Sequence, residues 1–415
     1  MYPDEDDTMR AFKRLKGLFR SDRGNALMIA AGAMPVIMAS AGFAVDTIYL
    51  SVLKRQMQRA ADSSALAGAY ALSQEASPDN AVTRDLTRNK FPALAGAQQV
   101  TVAPSLGYQK TVRVQLRTTP HLPFSTMFTK SRATITSDAT AAIVESGEFC
   151  VLSLFNGTDP GIDIGGNATL NLGCGLAANS TGSNAIHAFG SSAVTASPIM
   201  AVGGLNGSTN YNGTTKLQPH AAEQTDPFAG VPDPVLPTNC GGKLQVKHND
   251  PPPVFTTKCF SEIDIDGAVA LPPGTYYVNG GDLSFGSQAK VVGTGVTFVM
   301  TGPGGAAGDL NMNGQANLNL TAPTSGDFKD ILFYRDRRAT NIDIKINGGA
   351  DMLFKGALYF PSSDVTFTGN AGFSATCFQM VGQILTFRGN ATINNSCSDY
   401  GDLPTFRLKF IRLVQ

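Results

Sequence analysis

The sequence predicts a mainly β protein with an amino-terminal transmembrane α-helix and a carboxy-terminal solenoid of short strands. Three observations carry this prediction. An apolar run without any charged residue occupies residues 24–45. The 44 glycines and 23 prolines are typical of a turn-rich chain with many short strands. A motif of two alternating strands around a Gly-x-Ala turn recurs beyond residue 160.

The composition limits the classes of protein that remain. A chain of 415 residues is long enough for two or three domains. Lys plus Arg and Asp plus Glu both number 32, so the formal net charge is zero. A general nucleic-acid-binding surface needs a basic excess and is therefore not predicted. Hydrophobic residues make up 42%, which is enough for a packed core and argues against disorder.

The run from Gly24 to Val45 is predicted to cross a membrane as one helix. At about 1.5 Å per residue its 22 residues cover roughly 33 Å, the thickness of the hydrocarbon core. The internal Pro35 would break a soluble helix but is tolerated in a membrane helix. Basic residues are more numerous before the run than after it. The positive-inside rule therefore places residues 1–23 in the cytoplasm and the bulk of the chain in the periplasm.

Two other interpretations of this run remain open. The small-residue pattern Ala39-Ser40-Ala41 is typical of a signal-peptide cleavage site, which would leave no anchor in the mature protein. A buried helix of a soluble protein is the second alternative, although so long an uncharged run is rare there. Helical periodicity continues beyond Val45, which favours the uncleaved anchor.

The helix is predicted to continue to residue 78 as an amphipathic periplasmic segment. Small residues at helical spacing form one face, and such a face lets another element approach closely. The residues of this small-residue face are Ala60, Ala61, Ser64, Ala65, Gly68 and Ala69. The face either packs on the protein's own domain or contacts other single-span proteins, and the sequence does not separate the two.

An ordered set of features runs through this helix. They are Arg23-Gly24, the internal Pro35, Asp46 at the outer end of the span, Arg55-Gln56, and an Ala-Ala-Asp run ending in Asp62. In this combination the segment resembles the amino-terminal domain of TadG-like proteins of the Flp/Tad pilus system. The resemblance implies a bacterial inner-membrane protein whose partners are other pilus assembly proteins. It covers residues 23–69 and implies nothing about the β region.

Between the helix and the repeats, residues 79–149 are predicted to form a small pilin-like β region. They contain alternating stretches, and a long helix followed by a few antiparallel strands is the plan of a pilin. The remaining residues, 150–415, hold the repeats. Within them the segment 221–260 is rich in proline, with the run Pro251-Pro252-Pro253, and is predicted to be an extended excursion.

The repeats predict a right-handed parallel β-helix. The last three turns, at Gly348, Gly369 and Gly389, are 21 and 20 residues apart. A fixed period of this size is typical of a solenoid whose coils bury one another's faces. Abundant asparagine fits this fold, because its side chain tolerates left-handed turns and stacks in ladders. A β-sandwich of hairpins is the alternative, since Gly-Asn between alternating strands is also a hairpin signal.

Six cysteines lie beyond the apolar run. None of them forms a CxxC pair, so a zinc or thioredoxin-type site is not predicted. In an oxidising compartment an even number of cysteines indicates disulfides, and sequential pairing is the simplest connectivity. Six buried free thiols are the alternative. The predicted pairs are Cys150–Cys174, Cys240–Cys259 and Cys377–Cys397.

No catalytic, metal or cofactor site is predicted. The four histidines show no metal-ligand spacing. Carbohydrate cleavage would need two acids close together, but the candidate acids are interpreted as solvent-facing positions of half-buried strands. The charged run 335–338 is interpreted as a surface turn. The candidate acids are Asp163, Asp264, Asp266 and Asp343.

These observations favour a non-enzymatic, membrane-anchored periplasmic protein, and the resemblance implies that it is a component of a pilus assembly or secretion system. Its expected partners are inner-membrane lipid and other Flp/Tad proteins, with no cofactor and no nucleic acid. A surface adhesin that binds polysaccharide through a β-helix is the alternative. A β-helical enzyme that acts on carbohydrate is a third hypothesis, and it requires acids that converge in a cleft.

Overall fold

The computed structural model describes residues 22–89, 93–127, 132–213, 215–339, 343–348, 352–369, 372–375, 377–395 and 406–414. The chain is 40% strand and 19% helix, which confirms a mainly β protein with an amino-terminal apolar helix. It divides into two compact units, which we call unit 1 (residues 1–143 and 411–415) and unit 2 (residues 144–410). The finer division at residues 23, 78 and 149 stays a prediction.

Unit 1 begins with two helices, α1 (Asp22–Ser73) and α2 (Pro78–Asn89). Three strands follow, β1 (Gln99–Val102), β2 (Lys110–Thr118) and β3 (Ile135–Ser153). β3 belongs to unit 1 up to residue 143 and to unit 2 beyond it. β2 pairs antiparallel with both β1 and β3, so a long helix is followed by an antiparallel sheet.

The local sequence explains why α2 begins at Pro78. The hydroxyl of Ser77 accepts a hydrogen bond of 3.4 Å from the N–H of Asn80, as an N-cap residue does. Pro78 takes a first-turn position, where its missing N–H costs nothing. Asp79 in the first turn and Arg88 in the last turn both complement the helix dipole.

The core of unit 1 lies between α1 and the sheet. Along β2 the side chains alternate, so that Val112, Val114 and Leu116 are buried. These side chains form one cluster with Leu53 and Met57 of α1. Each apolar side chain buried in this way stabilises the unit by about 1.5 to 3 kcal/mol.

Unit 2 consists of short strands. Those before the proline-rich segment are β4 (Ile162–Ile164), β5 (Thr169–Leu172), β6 (Gly175–Ala178), β7 (Ile186–Ala188), β8 (Ala193–Thr195), β9 (Ile199–Ala201), β10 (Leu205–Asn206) and β11 (Leu217–Gln218). Those after its start are β12 (Leu244–Val246), β13 (Cys259–Phe260), β14 (Ile263–Ile265), β15 (Ala268–Leu271), β16 (Gly274–Asn279), β17 (Leu283–Phe285), β18 (Lys290–Thr294), β19 (Val296–Thr301), β20 (Leu310–Met312), β21 (Asn317–Thr321), β22 (Ile331–Arg335), β23 (Ile344–Gly348), β24 (Met352–Phe360), β25 (Val365–Gly369), β26 (Gly372–Ala375), β27 (Cys377–Gly382), β28 (Leu385–Gly389) and β29 (Thr392–Asn395). The last strand, β30 (Phe406–Val414), pairs with β3.

Parallel pairing arranges these strands in rows. Row 1 is β11-β9-β6-β3-β27-β24-β22-β19-β16-β13, and row 2 is β10-β7-β4-β28-β25-β23-β20-β17-β14-β12. Row 3 has two stretches, β15-β18-β21-β24 and β26-β29-β5-β8. Hairpins, which the β-sandwich alternative requires, are not found among the described strands of residues 144–395. β4, for example, pairs in parallel with β28 and β7 and not with its neighbour β5.

We call each set of consecutive strands that supplies one strand to every row a coil, and these sets do not pair in the order of the sequence. The last three strands of the repeats, β27, β28 and β29, lie beside the first three, β3, β4 and β5. The stack therefore runs from residue 241 to residue 395 and continues with residues 149–218. Residues 219–240, which we call the strap, connect the two ends of row 1. The ten strands of row 1 and the Gly241 bridge beyond β13 give ten spacings of about 4.8 Å, which add up to about 48 Å, and 22 extended residues reach roughly 70 Å.

The strap covers the outer face of row 1. Its Phe228 packs in one cluster with Val299 and Tyr334 of the row. Asn179 and Gln224 exchange two hydrogen bonds of 2.8 Å, one between the Asn179 Nδ2 and the Gln224 carbonyl and one between the Gln224 N–H and Asn179 Oδ1. The central strands β19 and β22 of row 1 are thus buried on both faces. This burial explains why every residue of these two strands is buried without alternation.

The turns that follow row 2 require glycine. Gly389, Gly166 and Gly190 lie in successive coils with φ values of 72°, 73° and 70°. A Cβ at Gly166 would lie 3.1 Å from the Gly389 carbonyl oxygen, and one at Gly190 would lie 3.0 Å from the Gly166 carbonyl oxygen. The left-handed conformation and the close approach of the neighbouring coil together explain the glycine of the repeated turn.

Asparagine pairs join the first and last coils beside these turns. Asn167 donates to Asn390 at 3.0 Å, and Asn171 donates to Asn394 at 2.9 Å. The ladders expected from the asparagine content are therefore present at this junction. They link residues that are more than 220 positions apart in the sequence.

Two sequence-based expectations for unit 2 need correction. The excursion expected at 221–260 contains β12 and β13, so the extended parts are the strap and residues 247–258. The surface turn expected at 335–338 is wrong for its first two residues, because Arg335 and Asp336 are fully buried. Arg335 donates to the Ser363 hydroxyl at 2.6 Å and to the Ala307 carbonyl at 3.2 Å.

Asp336 is held in its charged form inside this buried group. Burial opposes ionisation, but hydrogen bonds from Arg338 and Thr301 outweigh it and lower the pKa of the carboxyl. Thr301 donates to Asp336 Oδ2 at 2.6 Å, and Arg338 donates to it at 2.7 Å. Asp336 is thus hydrogen-bonded to β19 through Thr301, and Arg335 is hydrogen-bonded to Ser363.

Removal of the Arg337 guanidinium is expected to loosen the strap. Arg337 donates to the strap carbonyls of Ala229 (3.0 Å), Phe228 (3.2 Å) and Val231 (2.9 Å). Hydrogen bonds from a charged donor contribute about 1.5 to 3 kcal/mol, so Arg337→Ala should raise thermolysin cleavage within the strap roughly tenfold to a hundredfold. The control Lys329→Ala removes another exposed cation of unit 2 and should leave cleavage unchanged. Equal cleavage of the two variants would contradict this account.

Candidate functional site

The amino-terminal half of α1 is an apolar surface with almost no protein cover among the described residues. Only 6% of its most apolar window is buried, and the mean hydropathy of that window is 1.9. Ile37 is 65% exposed and Val45 54% exposed. By length and composition the helix can cross a membrane, and its low burial argues against the core helix of a soluble protein. Gly24 lies near the start of α1, and Pro35 lies inside it without ending it.

Asp46 is buried at the point where the apolar half of α1 meets the rest of unit 1. Its Oδ2 accepts hydrogen bonds from the backbone N–H and the hydroxyl of Ser125, each at 2.6 Å. One turn earlier, a Cβ at Gly42 would lie 2.6 Å from the ring of Phe124. Gly42 and Asp46 therefore fasten the segment around Ser125 to the helix. The sequence singled out Asp46, but the contact with a residue 79 positions away carried no local signal.

The small-residue face of α1 packs on the sheet of its own unit. Its alanines and Ser64 are fully buried in the core that contains Val112 and Val82. A Cβ at Gly68 would lie 2.9 Å from Val112 and 3.1 Å from Val82, so the close approach needs glycine. Of the two alternatives left open for this face, the structure shows the first, packing on the protein's own domain. The buried residues of the face are Ala60, Ala61, Ser64, Ala65, Gly68 and Ala69.

The polar side of α1 is fixed to β3. Asp62 accepts a hydrogen bond of 2.9 Å from Gln58, which also donates to the Asp138 carbonyl at 3.0 Å. Lys54 donates to the Ser137 hydroxyl at 3.2 Å and to the carbonyl of Thr136. Asp62, a residue of the family-like pattern, thereby orients a side chain that ties the helix to the sheet.

Two of the three predicted disulfides are present. Cys150 and Cys174 are bonded with a Cα–Cα distance of 5.8 Å, and Cys240 and Cys259 with one of 4.5 Å. The first bond joins neighbouring coils of unit 2, and the second joins the last residue of the strap to β13 at the end of row 1. Cys377 is also disulfide-bonded. Cys397 lies outside the described residues, so the third predicted pair stays a prediction.

An ionic and aromatic cluster lies on the outer side of row 2. Asp163 contacts His187 Nδ1 at 3.1 Å and accepts a hydrogen bond from Arg388. The Phe189 ring stacks on His187 at 4.8 Å, and the Arg388 guanidinium lies 4.9 Å from the centre of that ring. From the sequence, Asp163 was interpreted as a solvent-facing position of a half-buried strand, and no site was predicted for His187. Alignment of the repeats in register would have placed them side by side, because β28, β4 and β7 are neighbours in row 2.

The other acids considered in the sequence are engaged separately. Asp264 forms an ion pair of 3.0 Å with Lys243, and Asp266 accepts a hydrogen bond of 2.9 Å from the Gln288 N–H. Among the described residues, no group of three or more His, Cys, Asp or Glu is arranged to hold a metal ion. The structure does not bring Asp163, Asp264 and Asp266 together in one cluster.

The variant Asp364→Asn is expected to stabilise unit 2 at neutral pH. Burial and the nearby charge of Asp343 raise the pKa of the Asp364 carboxyl. The unfolded chain then loses this proton at a lower pH than the folded chain. This difference lowers the free energy of unfolding. The loss is absent below the ordinary carboxyl pKa of about 4 and complete above the raised pKa of Asp364 in the folded chain. The unfolding midpoint of the variant should therefore exceed that of the wild type at pH 7 and match it near pH 3.

The exposed residue Asp343 offers a matched control for this effect. Asp343→Asn removes the neighbouring charge but leaves the Asp364 carboxyl in place. It should give a smaller gain at pH 7, because burial is the larger cause of the raised pKa. A gain from Asp364→Asn that is the same at pH 3 and pH 7 would contradict an electrostatic origin.

Comparison with known proteins identifies one segment of the chain. Residues 24–71 match the family model described as putative Flp pilus-assembly TadE/G-like. The match lies within α1 and contains Gly24, Asp46 and Asp62, whereas Arg23 precedes it. The resemblance inferred from the sequence is thereby confirmed for this segment. No curated protein and no solved structure matches the chain.

Proposed function

Because residues 24–71 are a TadE/G-like segment, we propose that this protein is a non-enzymatic, single-span component of a Flp/Tad-type pilus assembly or secretion system. The observation that carries the proposal is the single helix α1. Its first half is apolar and uncovered, and its second half forms the core of unit 1. Such a helix anchors a folded unit directly at the membrane surface.

The proposed orientation has the amino terminus in the cytoplasm and both units in the periplasm. The excess of Lys and Arg before the apolar run supports this orientation. The disulfides of unit 2 support it as well, because such bonds persist in the oxidising periplasm and are rare in the cytosol. Unit 2 would then act outside the membrane as a contact surface for other components of the assembly.

Unit 2 is proposed to be a right-handed parallel β-helix with a permuted order of coils. Parallel pairing along the rows and the alternation of rows 1, 2 and 3 along the chain support this fold. A pair of cysteines tests both the fold and the export of the chain. Asn167→Cys with Asn390→Cys should form a disulfide in cells, because the two side chains meet at the junction of the first and last coils.

The matched control for that experiment is Asn167→Cys with Thr368→Cys. Thr368 lies one coil further away, so about 9.6 Å of stack separates the two positions and no bond should form. A bond in the control pair, or none in the first pair, would contradict the proposed stacking.

The assembly function is tested by deletion of the gene in a piliated strain. Loss of pili is expected, with recovery by the wild-type chain and no recovery by a chain whose residues 24–45 are replaced by a cleavable signal peptide. Piliation that persists in the deletion strain would refute the assembly function. Protease added to spheroplasts should degrade unit 2, and protection of unit 2 would refute the proposed orientation.

Polysaccharide binding is a second candidate function, favoured by the cluster on row 2. Phe189 is 39% exposed and flanked by the charged Arg388 and by His187. An exposed ring beside polar groups is suited to stacking on a sugar face. Phe189→Ala should abolish co-sedimentation with insoluble cell-envelope polysaccharide if this surface binds glycan, and wild-type protein that does not sediment would exclude the candidate.

A further inference from the structure

The exposed apolar surface of unit 1 extends beyond the membrane-spanning run. On α1 it includes Ile48 and Val52, which follow Asp46 on the exposed side of the helix. Away from the helix it includes Phe124, which is 40% exposed, and Met127, which is 78% exposed. Phe124 and Met127 belong to the segment 122–127, which we call the exit segment.

The exit segment is tied to the helix at the level of Asp46. The two hydrogen bonds from Ser125 to Asp46 and the contact of Phe124 with Gly42 hold it there. Leu122 is buried, whereas Met127 points away from the core. The segment therefore presents its apolar side chains beside the last part of the apolar run.

Three backbone N–H groups of the exit segment have hydrogen-bond partners within unit 1. The Thr126 N–H donates to the Leu122 carbonyl at 3.1 Å, and the Met127 N–H donates to the Phe124 carbonyl at 3.2 Å. The Ser125 N–H donates to Asp46, and Pro123 has no N–H to satisfy. Backbone that enters lipid must be satisfied in this way, whereas an ordinary surface loop relies on water.

The charges on α1 indicate the depth of the exit segment. The first basic residues after the apolar run are Lys54 and Arg55. At about 1.5 Å per residue they lie roughly 12 Å beyond Asp46 along the helix axis. Long Lys and Arg side chains near the end of a span extend to the level of the lipid headgroups. The exit segment at Asp46 would then lie below that level, near the boundary between headgroups and acyl chains.

We propose that the exit segment is a second membrane-contacting element, which inserts Phe124 and Met127 into the outer leaflet of the bilayer. The proposal rests on the single-span anchor proposed above. Asp46 is then a positioning residue that fastens the inserted segment to the span. Two points of contact would restrict the tilt of unit 1 on the membrane, which a lone helix does not do. Lipid is the favoured occupant because the surface is continuous with the span.

The sequence has no tryptophan, so a single introduced tryptophan reports on one site. We would place Phe124→Trp, full length, in bilayers that contain lipids brominated along the acyl chain. Its fluorescence should be blue-shifted and quenched to at least half the extent seen for Ile37→Trp inside the span. Val254→Trp, at a position of unit 2 that is 89% exposed, should emit as in water and remain unquenched.

The outcomes separate this proposal from the proposed anchor. Quenching at position 37 without quenching at position 124 would refute membrane insertion of the exit segment and leave the anchor standing. Absence of quenching at position 37 would refute the anchor itself. Emission at position 124 that is protected from aqueous acrylamide but not quenched by lipid would show a protein covering the segment, which also overturns the proposal.

A second variant tests the role of Asp46. Adding Asp46→Ala to Phe124→Trp removes the acceptor of both Ser125 hydrogen bonds and should at least halve the quenching by lipid. Adding Asp46→Asn, which keeps one acceptor oxygen, should give an intermediate value. Far-UV circular dichroism and resistance of unit 1 to protease must stay unchanged in both variants. Unchanged quenching in the alanine variant would refute the positioning role.

Discussion

Replacement of Phe333 by alanine is expected to lower the free energy of unfolding of unit 2 by about 3 to 5 kcal/mol. Phe333 is fully buried between rows 1 and 2. Its ring stacks on Phe298 at 5.3 Å and contacts Phe354 at 5.6 Å and Phe285 at 6.3 Å. Removal of the ring leaves a cavity that coils on both sides cannot fill without shifting out of register.

Urea unfolding followed by circular dichroism would measure this effect. Phe333→Leu, which retains part of the volume, should lose clearly less stability than Phe333→Ala. Val292→Ala, at an exposed position of β18, should change the midpoint by no more than about 0.5 kcal/mol. A loss below about 1 kcal/mol for Phe333→Ala would mean that the aromatic core is not packed as described.

Loss of the Cys150–Cys174 disulfide is expected to cost about 3 kcal/mol, because the bond restricts a loop of 24 residues in the unfolded chain. The bond joins the first coil of the sequence to the second, next to the junction at which the first coil stacks on the last. Opening this junction would expose two coils in the middle of the stack. The double variant Cys150→Ser with Cys174→Ser should therefore unfold cooperatively at a lower urea concentration.

The Cys240–Cys259 bond is the matched comparison, because its loop of 19 residues is similar in length. It lies at the end of the stack, where a single coil can open without disturbing the others. Its removal should lower the global midpoint less and raise hydrogen exchange within residues 241–260. Equal losses of global stability for the two double variants would contradict the coil order described for unit 2.

Sequence patterns predicted the structure best where a structural feature has a local physical cause. The apolar run indicates the exposed half of α1 because hydrophobicity alone decides whether a segment avoids water. Sequential pairing of an even number of cysteines predicted the Cys150–Cys174 and Cys240–Cys259 bonds, each of which joins residues that are close in the sequence. The repeated glycine indicated turns because a left-handed conformation favours this residue type.

Patterns were misleading where a long-range contact decides the outcome. The buried Arg335 and Asp336 sit in a run of charges that locally predicts a surface turn, but Thr301 and Ser363 supply their partners. The small-residue face of α1 suits a second helix as well as a sheet. In the structure both occupy it, Val112 from β2 and Val82 from α2 of the same unit.

The sequence by itself determined the apolar helix, its TadE/G-like character, the mainly β composition and two of the three cysteine pairs. Each of these depends on residue type and short spacing. Only the tertiary structure decided the order of the coils, the path of the strap, and the contact of Asp46 with Ser125. Those features join residues 79 to more than 220 positions apart. No local preference encodes such pairs, because their stability depends on surfaces that exist only after the chain has folded.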